Sequence, residues 1–254
     1  RKHFALPAEW RDGGHTLVHF EGVFHHAALF LNGRYLQSHE CGYTGFTVRL
    51  DNASARFGDD EVNVLAVRAD ASFGSGHWYE GGGIYRPVWL THVPPTHIVH
   101  DGLFVPPESD GSLVVPSAEL QLGGSGSLAV RFTLLDGDTV LATNASNVAV
   151  AAGMRDVEAA AAAPTTIVST ELRPPRGAVT LWSTHTPKMY TVRAEVLLLA
   201  SEARGRAMVA GELVDALEVD VGLRTTEWHA GGFKLNGAPL KLRGFSHHNS
   251  IGGL

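Results

Sequence analysis

The chain has a single cysteine, Cys41, in 254 residues. A lone thiol excludes an internal disulfide framework and any zinc site built from several cysteines. Charge is sparse as well: 18% of residues are charged, with 20 Lys and Arg against 26 Asp and Glu, for a net charge of −6. The cations are scattered and form no basic footprint, so nucleic acid is not an expected partner. Long apolar runs are missing. No stretch approaches the roughly twenty apolar residues that a membrane-spanning helix needs, so no membrane partner is expected. The opening residues do not read as a signal peptide. There is no Gly-x-Ser-x-Gly elbow, phosphate-binding loop, dinucleotide fingerprint or His-Glu-x-x-His pair, and no internal repeat.

What the chain does have is 44% hydrophobic residues, with 29 Gly and 12 Pro. Glycine and proline recur at short intervals, as many short strands joined by many turns require. The chain therefore reads as mainly β. Two Asn-x-Ser/Thr sequons, at Asn52 and Asn144, are weak pointers to a secretory route. The compartment stays open, as does processing ahead of the first residues, Arg1-Lys2-His3-Phe4.

Residues 1–95 read as one β unit. Thr16, Val18 and Phe20 alternate with polar neighbours, as do Phe46, Val48 and Leu50, and Val62, Val64 and Ala66. Val23 to Leu31 is apolar on both parities and predicts a strand covered on both faces. Asn32-Gly33 predicts a tight hairpin turn. The unit closes on Ile84 to Leu90, and Pro87, which lacks an amide donor, predicts an edge or a bulge there. From Val93 to Pro107, two Pro-Pro pairs and His100-Asp101-Gly102 predict a linker.

Beyond it, Ala118, Leu120 and Leu122 share one face, and Leu128, Val130, Phe132 and Leu134 share another. Asp136-Gly137 predicts a turn, and Tyr190–Leu199 and Leu217–Val221 predict strands. About seven short strands in roughly 120 residues is the pattern of an immunoglobulin-like sandwich. Ala151 to Ala163 is open between a helix, which its alanines favour, and irregular loop plus strand. A final hairpin signal, Asn236-Gly237, precedes a strand that runs into the polar cluster His247-His248-Asn249.

Two stretches could carry chemistry. Gly76-His77-Trp78-Tyr79-Glu80-Gly81-Gly82-Gly83 puts aromatic faces beside a backbone that can approach a ligand closely, which is how sugar rings are held. Taken alone, the segment reads more simply as aromatics that plug the end of a core while the glycines turn a corner. The histidine pairs His25-His26 and His247-His248 cannot chelate one ion from a regular strand, because neighbouring side chains point to opposite faces. No metal site and no cofactor are expected. Arg86 and Arg243 could each grip a carboxylate, of a ligand or within the fold.

In order and spacing, these segments resemble glycoside hydrolase family 2, which includes β-galactosidases, β-glucuronidases and β-mannosidases. The resemblance runs through Arg1 to Pro7, Phe20-Glu21-Gly22-Val23, Leu31-Asn32-Gly33 and Gly42-Tyr43-Thr44-Gly45-Phe46. It continues through Trp78-Tyr79, Gly82 to Leu90, Leu181-Trp182-Ser183, Pro187 and Tyr190. It ends on Gly222-Leu223-Arg224 and on Leu235 to His248.

The resemblance implies three parts: a jelly-roll sugar-binding sandwich over 1–95, entered some tens of residues after its usual start; an immunoglobulin-like β-sandwich over 96–222; and, over 223–254, the first strand of a truncated (β/α)8 barrel. It implies that His248 lines a sugar pocket, with His247, Asn249, Trp78 and Tyr79 as further substrate-binding residues. The family usually has an acidic residue directly after this His, where Asn249 stands. Some members have an aspartate before the Trp-Tyr pair, where His77 stands, so no cation site is carried over.

Hydrolysis with retention needs two carboxyl groups about 5–5.5 Å apart. The resemblance places both on later barrel strands, beyond residue 254. The implied whole is a retaining β-glycosidase, with a terminal β-galactoside as substrate. Its partners would be that carbohydrate, the barrel of the same polypeptide and a possible second copy in a homo-oligomer. The alternative is a standalone β-sandwich module that binds carbohydrate or another protein.

Overall fold

The computed structural model describes residues 1–50, 52–72, 81–123, 126–148, 165–199 and 211–246. Apart from one short 3-10 turn at Ala8–Arg11, the regular elements among them are strands, arranged in two compact units. Trp78, Tyr79, His247, His248, Asn249 and the Ala151–Ala163 stretch lie outside the described residues.

The first unit comprises Arg1–Pro94 together with Phe245–Leu254. Its strands are β1 (Lys2–Phe4), β2 (His15–Phe20), β3 (Val23–Phe24), β4 (His26–Leu31), β5 (Arg34–His39), β6 (Phe46–Leu50), β7 (Asn63–Asp70), β8 (Gly83–Ile84) and β9 (Val88–Val93). They form a four-stranded sheet, β1-β7-β4-β5, a three-stranded sheet, β6-β2-β9, and the short pair β3-β8, all antiparallel. The core between the sheets holds Val18 and Phe20 of β2, Phe46, Val48 and Leu50 of β6, and Ala27, Leu29 and Leu31 of β4. At one side of the sandwich β5 meets β6, where the His39 ring stacks on Phe46 at 4.3 Å and Gln37 Nε2 donates to the Thr47 carbonyl. At the other side the chain crosses between sheets after β1, and Trp10 stacks on His92 of β9 at 5.0 Å. Burial there holds His92 below the ordinary imidazole pKa.

Three expectations for this unit need correction. Val23 to Leu31 is two strands rather than one, and β4 alternates between buried and half-buried residues instead of being covered on both faces. In β7 the inward parity is the reverse of the one expected. Asn63 and Leu65 are buried, while Val62 is 47% exposed. Asn63 wins the inward position because it is a hydrogen-bond hub: its Oδ1 accepts from Arg56 N and Asn32 Nδ2, and its Nδ2 donates to the Arg56 carbonyl. Ile84 to Leu90 is likewise broken. β8 ends at Ile84, Pro87 falls between strands with its carbonyl accepting from Glu21 N, and β9 starts at Val88 on a sheet edge.

The second unit spans Pro95–Gly244. Its strands are β10 (His97–Phe104), β11 (Ser117–Gln121), β12 (Ser127–Asp136), β13 (Thr139–Val148), β14 (Thr165–Ser169), β15 (Tyr190–Leu199) and β16 (Gly211–Val221). A small meander follows, of β17 (Thr226–His229), β18 (Gly232–Leu235) and β19 (Ala238–Pro239). The first seven form sheets β10-β11-β14 and β13-β12-β15-β16. This is the seven-strand immunoglobulin-like sandwich, with the fourth strand paired to the third rather than to the fifth. Its core takes the faces expected from the sequence: Ala118 and Leu120 from β11, and Val130, Phe132 and Leu134 from β12, are all fully buried. Burying each of the larger chains contributes about 1.5–3 kcal/mol.

The stretch expected to be a linker is mostly strand β10. His100-Asp101-Gly102 is a bulge within it rather than a turn. The register shifts between Ile98 and Leu103, and Asp101 takes a left-handed φ of 57°. Outward positions of the four-stranded sheet carry ion pairs. Arg131 and Glu195, opposite each other on β12 and β15, make two bonds of 2.8 and 2.9 Å.

Candidate functional site

The segments that carry the resemblance are scattered in sequence, yet the fold gathers several of them into two joints, one in each unit.

The first joint holds the foot of the glycine-rich loop. Tyr85 lies against Gly22, where a Cβ would sit 2.7 Å from the ring, and its hydroxyl donates to the Gly42 carbonyl at 2.8 Å. Gly42 in turn makes room for Phe24, whose ring would clash with any Cβ there. Phe24 meets Tyr43 edge-on at 5.4 Å. Both glycines are there because an aromatic ring occupies the space of a side chain. Arg86 reaches over the Tyr85 ring at 5.6 Å, a cation–π contact. Strands β3 and β8 pair Val23 with Ile84 and Phe24 with Gly83. On the loop's other side, Ser72 turns back on Asp70, its hydroxyl and its amide both donating to Oδ1. The Ser72 hydroxyl is the main cause holding the Asp70 carboxyl below its usual range. The two ends of the segment that carries Trp78 and Tyr79 are thus fixed.

The second joint holds the hairpin that leads toward His247. Trp182 N donates to the Leu223 carbonyl at 2.7 Å, and Gly222 accommodates the Trp182 ring, whose Cδ1 would lie 2.7 Å from a Cβ. Arg224 sits over the same ring at 5.6 Å. Asn236 closes the joint. Its backbone amide donates to the Thr225 carbonyl, its Oδ1 accepts from Thr225 N, and its Nδ2 donates to the Trp182 carbonyl. Glu108 accepts from both the hydroxyl and the amide of Thr226, which lowers its carboxyl pKa, the hydroxyl first. Tyr190, 2% exposed at the start of β15, accepts from Thr180 N at 2.7 Å through its hydroxyl, the tyrosine corner of such sandwiches.

Asn32 repeats the arrangement of Asn236. It too sits in a Leu-Asn-Gly turn, at φ 51° against 52°. It too exchanges two bonds with a single residue of another segment: Asn32 N donates to the Val64 carbonyl, and Val64 N donates to Asn32 Oδ1. Its Nδ2 reaches the Ser54 carbonyl as well. The sequence reading took both Asn-Gly pairs as turn formers and missed this second role.

Among the described residues, no three His, Cys, Asp or Glu side chains converge to hold a metal. The five residues expected to bind substrate lie outside the described residues, so the geometry on view is that of their supports.

Comparison with known proteins bears on what these joints support. No family model matches the chain. A β-galactosidase of Bacteroides ovatus is 31% identical over 250 residues, which cover 92% of this chain and 26% of that protein. Among solved structures, a glycosyl hydrolase family 2 member from Bacteroides cellulosilyticus superposes with a TM-score of 0.75 at 26% identity, over 95% of this chain and 30% of the other. The chain is a glycoside hydrolase family 2 homologue. A β-glucuronidase of Bacteroides uniformis, also of TM-score 0.75 and 26% identity, is matched over 97% of this chain and 29% of that one. The chain spans between 20% and 31% of the length of five of the curated relatives it matches. Its mainly β architecture is the one these family 2 structures share over that stretch.

Proposed function

We propose that residues 1–254 form the N-terminal, non-catalytic part of a retaining β-glycosidase acting on terminal β-galactosides. The observation that carries this reading is one of proportion: relatives named β-galactosidase match nearly all of this chain with about a fifth to a third of their own length. The division proposed is a sugar-binding sandwich over 1–95, an immunoglobulin-like sandwich over 96–222 and the entry to a (β/α)8 barrel over 223–254. Both catalytic carboxyl groups would belong to the rest of that barrel.

In this reading the first joint presents Trp78 and Tyr79 to the sugar, and the second delivers the hairpin strand that ends in His247, His248 and Asn249. Those five residues would shape one wall of the pocket by stacking and hydrogen bonding, without proton transfer at the scissile bond. The relatives include a β-glucuronidase as well as a β-galactosidase, so the test uses both sugars. The product of the complete reading frame is expected to hydrolyse a chromogenic β-galactoside well above the matching β-glucuronide, and residues 1–254 alone to hydrolyse neither. Preference for the glucuronide would overturn the substrate. Turnover by residues 1–254, abolished by replacing one of their acidic residues, would overturn the non-catalytic role.

A further inference from the structure

An asparagine followed by glycine is open to a spontaneous reaction, because no side chain on the second residue shields its backbone nitrogen. The chain holds two such pairs in the same local context, Leu31-Asn32-Gly33 and Leu235-Asn236-Gly237. The glycine nitrogen adds to the asparagine Cγ, and the new N–Cγ bond closes a five-membered succinimide. The Cγ–Nδ2 bond breaks, and Nδ2 leaves as ammonia with the proton lost from the glycine nitrogen. Water, the co-reactant, then opens the ring at either carbonyl to leave aspartate or isoaspartate.

To react, the asparagine side chain must swing onto the next amide, so bonds that hold its two polar atoms elsewhere oppose the reaction. Backbone shape does not separate the two turns: φ at Asn and Gly is 51° and 85° in one, 52° and 75° in the other. The bonds do separate them. Asn32 Oδ1 accepts from Val64 N at 2.8 Å, and its Nδ2 donates to the Ser54 carbonyl at 2.8 Å and to Asn63 Oδ1 at 2.9 Å. Ser54 and Asn63 are buried, and the strand that follows, β5, pairs with β4 at five positions. Asn236 has one bond on each polar atom: Oδ1 accepts from Thr225 N at 2.9 Å, and Nδ2 donates to the Trp182 carbonyl at 3.0 Å. Thr225 and Trp182 are half-buried. The strand that follows, β19, pairs with β18 at two positions, one of them Pro239, which has no amide to donate. A segment held by fewer bonds opens locally more often, and a reaction that needs the open form follows its population.

We propose that Asn236 is a deamidation site gated by the second joint, and that Asn32 is the same dipeptide kept shut. Aspartate at 236 still accepts from Thr225 N, but it turns an acceptor toward the Trp182 carbonyl, where the amide had donated. Isoaspartate also adds a main-chain carbon to a two-residue turn. Either product loosens the hold on the hairpin, and neither reverts to asparagine, so the change runs one way.

The experiment ages the complete polypeptide in mildly alkaline buffer, folded and in urea. Each Asn-Gly peptide is followed by mass for the exchange of an amide for an acid. In urea the two sites are expected to react within about twofold of each other, since their local sequences agree. In the folded protein Asn236 is expected to react at least about fivefold faster than Asn32, yet at least about fivefold more slowly than it does in urea. Folded Asn236 reacting no faster than folded Asn32 overturns its place as the more open site. Folded Asn236 matching its own rate in urea overturns the gate. The fraction changed at 236 alone, separated by its added negative charge, is expected to unfold at lower urea than fresh protein; an unchanged midpoint overturns the loosening. These readouts do not depend on which glycoside the polypeptide acts on.

Discussion

Two asparagines show how much a single side chain decides here. Asn32 and Asn236 each take a left-handed backbone that few residues other than glycine accept, and each exchanges two bonds with one residue of a neighbouring segment. An alanine at either position loses the side-chain bonds, retains the one from its backbone amide, and keeps the strained backbone. Asn236→Ala should lower unfolding stability by about 2 kcal/mol, taking roughly 1 kcal/mol per lost hydrogen bond, as read by urea denaturation; a change within error would show that Trp182 and Thr225 hold the joint without it. Asn63→Ala should cost more, about 3 kcal/mol, because it removes a fully buried side chain together with its three hydrogen bonds, to Asn32 and to the amide and carbonyl of Arg56. Glu195 gives a pH-dependent prediction. The Arg131 guanidinium hydrogen-bonds to its carboxyl and lowers its pKa from an ordinary value of 4.5. Stability from the pair is therefore fully present above roughly pH 4.5 and is lost as pH falls through the lower, folded-state value. Glu195→Gln should remove about 1 kcal/mol at pH 7 and flatten the fall in stability below pH 4.5. An unchanged acid limb in that variant would assign the pH dependence to other carboxylates.

Strands with strict alternation were legible in the sequence. Phe46, Val48 and Leu50, the run Tyr190–Leu199 and the faces of β11 and β12 needed only the two-residue period. The failures have physical causes. In β7, Asn63 takes the inward position that apolar counting gave to Val62 and Val64, because its amide hydrogen-bonds the amide and carbonyl of Arg56 in the preceding loop. In β10, His100-Asp101-Gly102 has turn composition but serves as a bulge, since strand pairing resumes on either side. The site was legible in part. The motif residues were found, but the contacts joining them could not be read, because Gly22, Gly42 and Gly222 act through rings remote in sequence. Gly222→Ala should force Trp182 from its place and lower the thermal midpoint while leaving β-sheet circular dichroism intact. An unchanged midpoint would show that the ring can shift without loss.

At the scale of the whole molecule, two β units carry one joint each, and each joint braces a segment that family resemblance marks as facing the sugar. The relatives compared above are three to five times as long as the matched stretch, and the reading proposed above places both catalytic carboxyl groups in the rest of the polypeptide. The account therefore gives this chain support and pocket-lining roles, with bond cleavage done elsewhere in the polypeptide. A retaining enzyme passes through a covalent glycosyl-enzyme, which makes the location of the nucleophile measurable. The complete polypeptide is treated with a slow-turnover galactosyl substrate that traps this intermediate, and the labelled peptide is mapped by mass. The account predicts a sugar on a carboxylate outside residues 1–254; a sugar on an Asp or Glu within them would contradict it.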